Sequence, residues 1–387
     1  MAGEVAIVGA GQSRFGVLKE GIKSLFAQAF FECLDSVDKG MDPRQVQEAF
    51  VGSMSFGGGQ LGNLAALMTE QVGLTHIPAR KVENACASSS YALRDAWFAL
   101  HSGMLDVVLV AGVEKMTDLP SDRRRYWLGV SGDTEWERLA GTTFAGLYAL
   151  MASRHMHEYG TKRESLAQVA VKNHRYASHN PKAHFQRPIK LEQVLEAPML
   201  AQPLTLYDSC PVSDGASALL LTRAELAKSF TDSPVYIQAS SGASDFLALH
   251  DREDITRVDG TVKAAKEAYR QAHLSPGEVD MAEIHDAFTI GEIMALEDLG
   301  FCSKGQGGVW TLEGRTEIGG DIAVNTSGGL KAKGHPLGAT GAGQVVEVFK
   351  QLRSEAEKAR QVSGAEVALT HNVGGSGATV AVHIFSR

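Results

Sequence analysis

Cys86 stands in the stretch Lys81-Val82-Glu83-Asn84-Ala85-Cys86-Ala87-Ser88-Ser89-Ser90, flanked by alanines small enough for a tight turn. A strand-like run (79–84) enters it and a helical pattern (88–102) leaves it, with Ser88 or Ser89 available as a cap. A thiol at a helix N-terminus meets partial positive charge and free N–H donors, which favour thiolate. Cys86 therefore reads as a nucleophile, against the plainer reading of a packed core cysteine. A base for it is offered far along the chain. His335 lies between Gly334 and Pro336 in Asn325-Thr326-Ser327-Gly328-Gly329-Leu330-Lys331-Ala332-Lys333-Gly334-His335-Pro336-Leu337-Gly338-Ala339-Thr340-Gly341. Pro336 restricts His335 to extended backbone, and the glycines let main chain approach a ligand. Together the two residues make a nucleophile–base couple. His285-Asp286-Ala287-Phe288 and His371-Asn372-Val373-Gly374-Gly375-Ser376-Gly377 each close a strand-like run, where parallel sheets place functional groups. Alone, each of these two fits a structural histidine equally well.

The elements that must position these residues alternate. Strand patterns at 5–8, 48–54 and 107–113 are separated by helical ones at 24–37, 63–72 and 88–102. The last of these carries Leu93, Trp97, Leu100 and Met104 on one face and stops at Gly103. The run at 107–113 is apolar throughout, as in a strand buried on both faces. Such alternation predicts parallel pairing with right-handed crossovers. After a strand at 217–222 a second series repeats the order. It has strands at 234–240, 279–284, 322–325, 367–370 and 379–385, and helices at 261–273, 289–299 and 340–352. In each half the third helix follows an unusual turn, holding Cys86 in one and His335 in the other, so a pseudo-twofold would bring both helix N-termini to one crevice. The expected halves are 1–232 and 233–387, with an insertion at about 115–210. That insertion has helical patterns at 144–157 and 166–176, and it carries Arg123, Arg124 and Arg125. These arginines read as a solvated surface or as a clamp for a substrate phosphate or carboxylate. His155 and His157, two apart, would face different sides of a helix and make a poor metal pair. Gly9-Ala10-Gly11 lacks the third glycine of a dinucleotide fingerprint and reads as a strand-end turn.

Bulk properties exclude several classes. The chain has 387 residues, 44% hydrophobic and 21% charged, which suits a globular protein with ample core. A net charge of −8 predicts no nucleic-acid partner. The four cysteines, Cys33, Cys86, Cys210 and Cys302, form no Cys-x-x-Cys pair, arguing against a zinc ribbon or disulfide scaffold. No metal is expected. With a strand starting at Glu4, no signal peptide, no long apolar run and no Ser-Lys-Leu ending, the cytoplasm is the expected compartment.

From end to end the chain resembles the thiolase superfamily. The stretch Asn84-Ala85-Cys86-Ala87-Ser88 and the block Gly334-His335-Pro336-Leu337-Gly338-Ala339-Thr340-Gly341 are the specific motifs. The His285-Asp286-x-Phe288 and His371-Asn372-Val373-Gly374 forms resemble its sterol-carrier-protein-type and archaeal branch. The resemblance implies an α/β thiolase fold of two pseudo-symmetric βαβαβαββ halves in a layered α-β-α-β-α core, with an inserted loop region. It implies that Cys86 attacks a 3-oxoacyl-CoA with His335 as base, leaving an acyl-Cys86 thioester that free CoA then takes. Reversed, this is a Claisen condensation. His335 and His285 would stabilise the enolate, and the N–H groups of Cys86 and Gly375 the tetrahedral oxyanion. Arg123, Arg124, Arg125, Lys331, Lys333, Ser327 and Gly328 are the candidate CoA contacts. Coenzyme A is then co-substrate, with no bound cofactor. A homodimer is implied, and so is a zinc-ribbon/OB-fold (DUF35-type) subunit.

One departure stands out. The family's second cysteine would fall at Ala287 or Asn372, so its proton-moving role passes to His335, His285, a water, or His371 with Asn372. That leaves room for a bulkier acyl group such as benzoylsuccinyl-CoA. The rival readings are a decarboxylating ketosynthase using Cys86, His285 and His335, a thiolase-like aldolase working with the zinc-ribbon partner, and a non-catalytic subunit.

Overall fold

The computed structural model describes residues 5–387, so Glu4, counted in the first strand from the sequence, lies outside the described residues. Among the described residues twelve strands form: β1 (Val5–Gln12), β2 (Glu48–Gly52), β3 (Ala79–Val82), β4 (Val107–Glu114), β5 (Met199–Ala201), β6 (Leu204–Thr205), β7 (Gly215–Arg223), β8 (Val235–Ser244), β9 (Met281–Glu283), β10 (Ala323–Val324), β11 (Val367–Gly374) and β12 (Thr379–Ser386). Ten of them make one sheet in the order β10-β9-β11-β12-β8-β1-β7-β4-β2-β3, and β5 with β6 makes a small hairpin beside it.

That order is a repeat. β3-β2-β4-β7-β1 on one side matches β10-β9-β11-β12-β8 on the other, strand for strand. In each, the outer two pairings are parallel and the inner two antiparallel. The halves join antiparallel through Val5↔Ile237, Ala6↔Tyr236 and Ile7↔Val235 of β1 and β8. Parallel pairs need helical crossovers, and those helices build the layers. Helix Ile22–Asp35 and helix Leu64–Gln71 cover the outer face of the first half, over Ala6, Val8, Val51, Leu109 and Leu220. Helix Asp259–Ala272 and helix Thr289–Asp298 cover the second, over Ala239, Ile284, Leu369 and Val382. Between the halves lie helix Ser88–His101 and helix Thr340–Leu352, whose Ala92, Leu93, Ala96, Val345 and Phe349 share one core with β1, β4, β7 and β8. The result is the five-layered α/β arrangement expected from the sequence.

Two local expectations fail. Met104, expected on the buried face of the third helix, is exposed because the helix ends at His101. The serines do not cap that helix either. Ser88 Oγ donates to Ala85 O and accepts from Asn84 N–H, tying the cysteine turn, whereas Ser89 Oγ accepts the Ala342 N–H of the other central helix at 2.9 Å. The two helix N-termini come so close that a Cβ on Gly341 would lie 2.6 Å from Ser90 N, a contact only glycine avoids.

The inserted region is helical: Ser121–Gly129, Phe144–Tyr159 and Arg163–Ala177. Leu147, Met151 and Leu166 pack on Phe288, Ile290 and Ile293 of the second half, which fixes the insertion over the end of the sheet where the motif loops emerge.

Candidate active site

Ala85 takes a left-handed conformation (φ 50°), so β3 turns sharply before the helix and leaves Cys86 at the bend. The loop after β11 crosses this turn closely. A Cβ on Gly374 would sit 2.4 Å from Asn84 O. Backbone N–H groups of Gly375 and of Cys86 itself point at the sulfur.

His335 is held from three sides. Its N–H donates to Ser213 Oγ, its backbone bridges Val212, and Gly338 N–H donates to Glu114 Oε2 at 2.9 Å. Glu114, buried at the end of β4, also accepts the N–H groups of Met54 and Phe56, so one carboxylate pins both rims of the crevice. Asp286 similarly accepts Leu330 N–H and Asn173 Nδ2–H, holding the glycine-rich block against the His285 turn.

Cys86 Sγ and one ring nitrogen each of His285 and His335 lie within 4.8 Å of one another. The two rings are nearly perpendicular (86°), with centroids 5.2 Å apart. Hydrogen bonds fix both tautomers. Thr340 Oγ donates its one proton to Pro336 O at 2.9 Å, so it accepts from His335 Nδ1–H at 2.7 Å. His335 Nε2 then carries a lone pair, and it is buried with no partner among the described residues. Around His285 the polarity is reversed. Its Nδ1 accepts from Val373 N–H and, at 3.0 Å, from Asn372 Nδ2–H, whose Oδ1 in turn accepts from Ser90 Oγ–H. His285 therefore bears its proton on Nε2. One imidazole is poised to accept a proton and the other to donate one.

Electrostatics agree with a neutral resting site. Burial pushes the Cys86 thiol up to about 12, aided by Cys210 and outweighing the Gly375 N–H. Burial also pulls His335 down to about 3, and holds His285 well below its ordinary value with help from His335 and His371. The expectation that the helix N-terminus leaves Cys86 ionised is thus corrected, because desolvation exceeds the helix dipole here.

A cavity of about 120 Å³ opens on this trio, walled mostly by apolar groups such as Met116, Leu128, Phe144, Leu337 and the stacked pair Tyr148 and Phe288. It also takes in Cys210, which no motif signalled; its loop, through Ser209, bridges Phe288. A wider opening of about 440 Å³, bounded by Asn84, Trp127, Val130 and Leu247, shares Ser131 and Gly375 with it.

The remaining predicted residues are dispersed. Arg123 and Arg125 are exposed and Arg124 half-buried on helix Ser121–Gly129, which sends Leu128 into the cavity wall. Lys331 and Lys333 are only 1% and 2% exposed, and they do not line either opening. Lys333 Nζ donates to Gly343 O, and Lys331 Nζ lies 3.5 Å from His174 Nε2. Ser327 Oγ donates to Glu283, and Gly328, with φ 103°, leaves no space for a Cβ against Ala177. These four, expected at the CoA, are corrected to interior supports of the glycine-rich block. His371 Nε2 pairs with Thr261 Oγ, and the ring borders a separate small cavity behind His285.

A cysteine–histidine couple, a second histidine with a free N–H and converging backbone N–H groups are the parts that acyl transfer through a thioester needs. The description "Thiolase, N-terminal domain" matches residues 5–225, and "Thiolase C-terminal domain-like" matches residues 241–387. The chain belongs to the thiolase family and is an acyltransferase. It is 49% identical over 386 residues to acetyl-CoA acetyltransferase of Methanothermobacter thermautotrophicus, covering 99% of this chain and 100% of that protein. It is 46% identical over 392 residues to the protein of the same name from Methanocaldococcus jannaschii, covering 99% of each. Among solved structures it superposes on "Ltp2-ChsH2(DUF35) aldolase" with a TM-score of 0.85 at 25% identity, covering 100% of this chain and 98% of that one.

Proposed function

We propose that the chain interconverts two acetyl-CoA with acetoacetyl-CoA and free CoA through an acetyl-Cys86 thioester. The observation that carries this is the trio of Cys86, His335 and His285 with opposite proton polarity on its two free imidazole nitrogens. In the cleavage direction His335 Nε2 takes the Cys86 proton as Sγ attacks the C3 carbonyl, an assistance worth ~10²–10⁴-fold. The oxyanion that forms accepts from the N–H groups of Cys86 and Gly375, each such donor worth ~2.7–4 kcal/mol at the transition state. His285 Nε2–H donates to the thioester oxygen of the departing enolate. The enolate carbon takes up one proton to give acetyl-CoA, free CoA gives up one as it attacks the acetyl-Cys86 carbonyl, and Cys86 regains its proton from His335.

Size and lining favour the acetyl group. The cavity of about 120 Å³ is below the ~300–1,000 Å³ of pockets that hold whole ligands, and no lysine or arginine lines it to meet a dicarboxylic acyl chain. An intact Cys86–His335 couple, with relatives named for acetyl transfer, weighs against the aldolase, ketosynthase and non-catalytic readings. The wider opening suits the pantetheine arm, and Arg123, Arg124 and Arg125 suit the nucleotide phosphates of CoA. β3 is a short edge strand with unpaired backbone groups, a surface on which a second copy could continue the sheet. The superposed aldolase is named together with a DUF35 protein, which makes a zinc-ribbon/OB-fold partner worth seeking by co-purification.

Incubation with acetyl-CoA or acetoacetyl-CoA should add one acetyl group to the Cys86 peptide, read by mass spectrometry, and Cys86→Ala should abolish both the adduct and turnover. Turnover retained by Cys86→Ala would overturn the assignment.

A further inference from the structure

We propose that the Cys210 thiol is the group that moves the proton on the α-carbon of the substrate, a role that rests on the acyltransfer reading above. Cleavage requires a proton to reach the α-carbon, and condensation requires one to leave it. The titratable groups facing the cavity are Cys86, Tyr148, Cys210, His285 and His335. Cys86 holds the acyl group. The single lone pair of His335 serves the Cys86 proton, because its other nitrogen is committed to Thr340. His285 has its lone pair occupied by Val373 N–H, so its free nitrogen can donate to oxygen but cannot take a proton from carbon. His371 and Asn372, held by Thr261 and by Ser90 with His285, stand outside this cavity. Tyr148 is raised far above its ordinary value by burial, and the neighbouring Cys86 and Cys210 thiols raise it further. Cys210 remains.

Its placement suits the task. Cys210 N–H donates to Ala287 O at 2.8 Å, and on either side Ser209 bridges Phe288 and Val212 bridges His335. The thiol is thereby stitched between the two histidine turns, on the wall of the cavity but outside the tight trio. Burial raises Cys210 to about 12, and the buried Lys331 ammonium opposes that rise. A soft thiol whose anion a buried ammonium favours can release and regain a proton at lower cost than one without it.

The steps balance. In cleavage, His335 takes the Cys86 proton, Sγ bonds to C3, and the C2–C3 bond breaks with its electron pair on C2. C2 takes the proton of Cys210, giving acetyl-CoA, a Cys210 thiolate and a His335 imidazolium. Incoming CoA gives its thiol proton to Cys210 and attacks the acetyl carbonyl. The Cys86 sulfur leaves and recovers the proton held by His335.

Two partial reactions separate this role from acylation: acetylation of Cys86 by S-phenyl thioacetate, whose thiophenolate leaves without a proton from Cys210, and exchange of acetyl-CoA methyl protons in D2O. In Cys210→Ala and Cys210→Ser, Cys86 should still be acetylated at close to the wild-type rate. Methyl exchange and condensation should fall about 100-fold, the lower end of general acid–base effects. Exchange kept within a few-fold of wild type in either variant overturns the proposal, as does loss of Cys86 acetylation together with exchange. A wild-type chain that takes no acetyl group overturns the acyltransfer reading itself.

Discussion

Replacing Thr340 by valine tests the proton polarity of the site. Valine keeps the shape of threonine but removes the oxygen that accepts His335 Nδ1–H at 2.7 Å and that donates to Pro336 O at 2.9 Å. His335 is 5% exposed, so the orphaned N–H has no water to turn to and costs ~1–3 kcal/mol. The ring can relieve that cost by shifting its proton to Nε2, which removes the lone pair facing Cys86. Either way the productive tautomer is disfavoured by ~1–3 kcal/mol, or about 5- to 150-fold in rate. The whole base contribution of ~10²–10⁴-fold sets the ceiling. The assay is rapid-quench acetylation of Cys86 by acetoacetyl-CoA, with circular dichroism to confirm an intact fold. Thr340→Ser, which keeps the acceptor, should recover most of the rate. Wild-type acetylation in Thr340→Val, or a serine variant as slow as valine, would refute the tautomer assignment.

Three more outcomes follow from the same geometry. With Cys86 raised to about 12 and His335 lowered to about 3, the resting couple is neutral between those values, so thiolate is scarce at neutral pH and grows as pH rises. Iodoacetamide alkylation of Cys86 should therefore climb through pH 9–10 with no plateau; an inflection below pH 7 would mean a preformed thiolate–imidazolium pair. Gly374→Ala puts a methyl 2.4 Å from Asn84 O, so it should displace the cysteine turn and lower Cys86 acetylation by at least about 10-fold; a variant with wild-type acetylation would show the turn to be indifferent to that contact. Replacing Arg123, Arg124 and Arg125 together by alanine should raise KM for CoA several-fold and leave kcat unchanged, because phosphate contacts far from the reacting carbon act equally in ground and transition states; an unchanged KM would return these arginines to plain surface.

The sequence by itself determined the repeat, the central helices and the two motif turns. The stretch 107–113 is buried throughout, as its unbroken apolar run required, and Thr340–Leu352 begins and ends where its pattern does. Cys86 and His335 were legible because a nucleophile turn and a Gly-His-Pro constraint are written in consecutive residues. The tertiary structure alone decided what surrounds them. Burial reversed the expected acidity of Cys86, and desolvation depends on what packs over a group, not on its neighbours in sequence. The same packing drew Lys331, Lys333, Ser327 and Gly328 inward, although lysines and a glycine-rich run read locally as a ligand loop. Cys210 lies 124 residues from Cys86 with no motif around it, and only the closing of two halves and an insertion over one cavity brings the two thiols together.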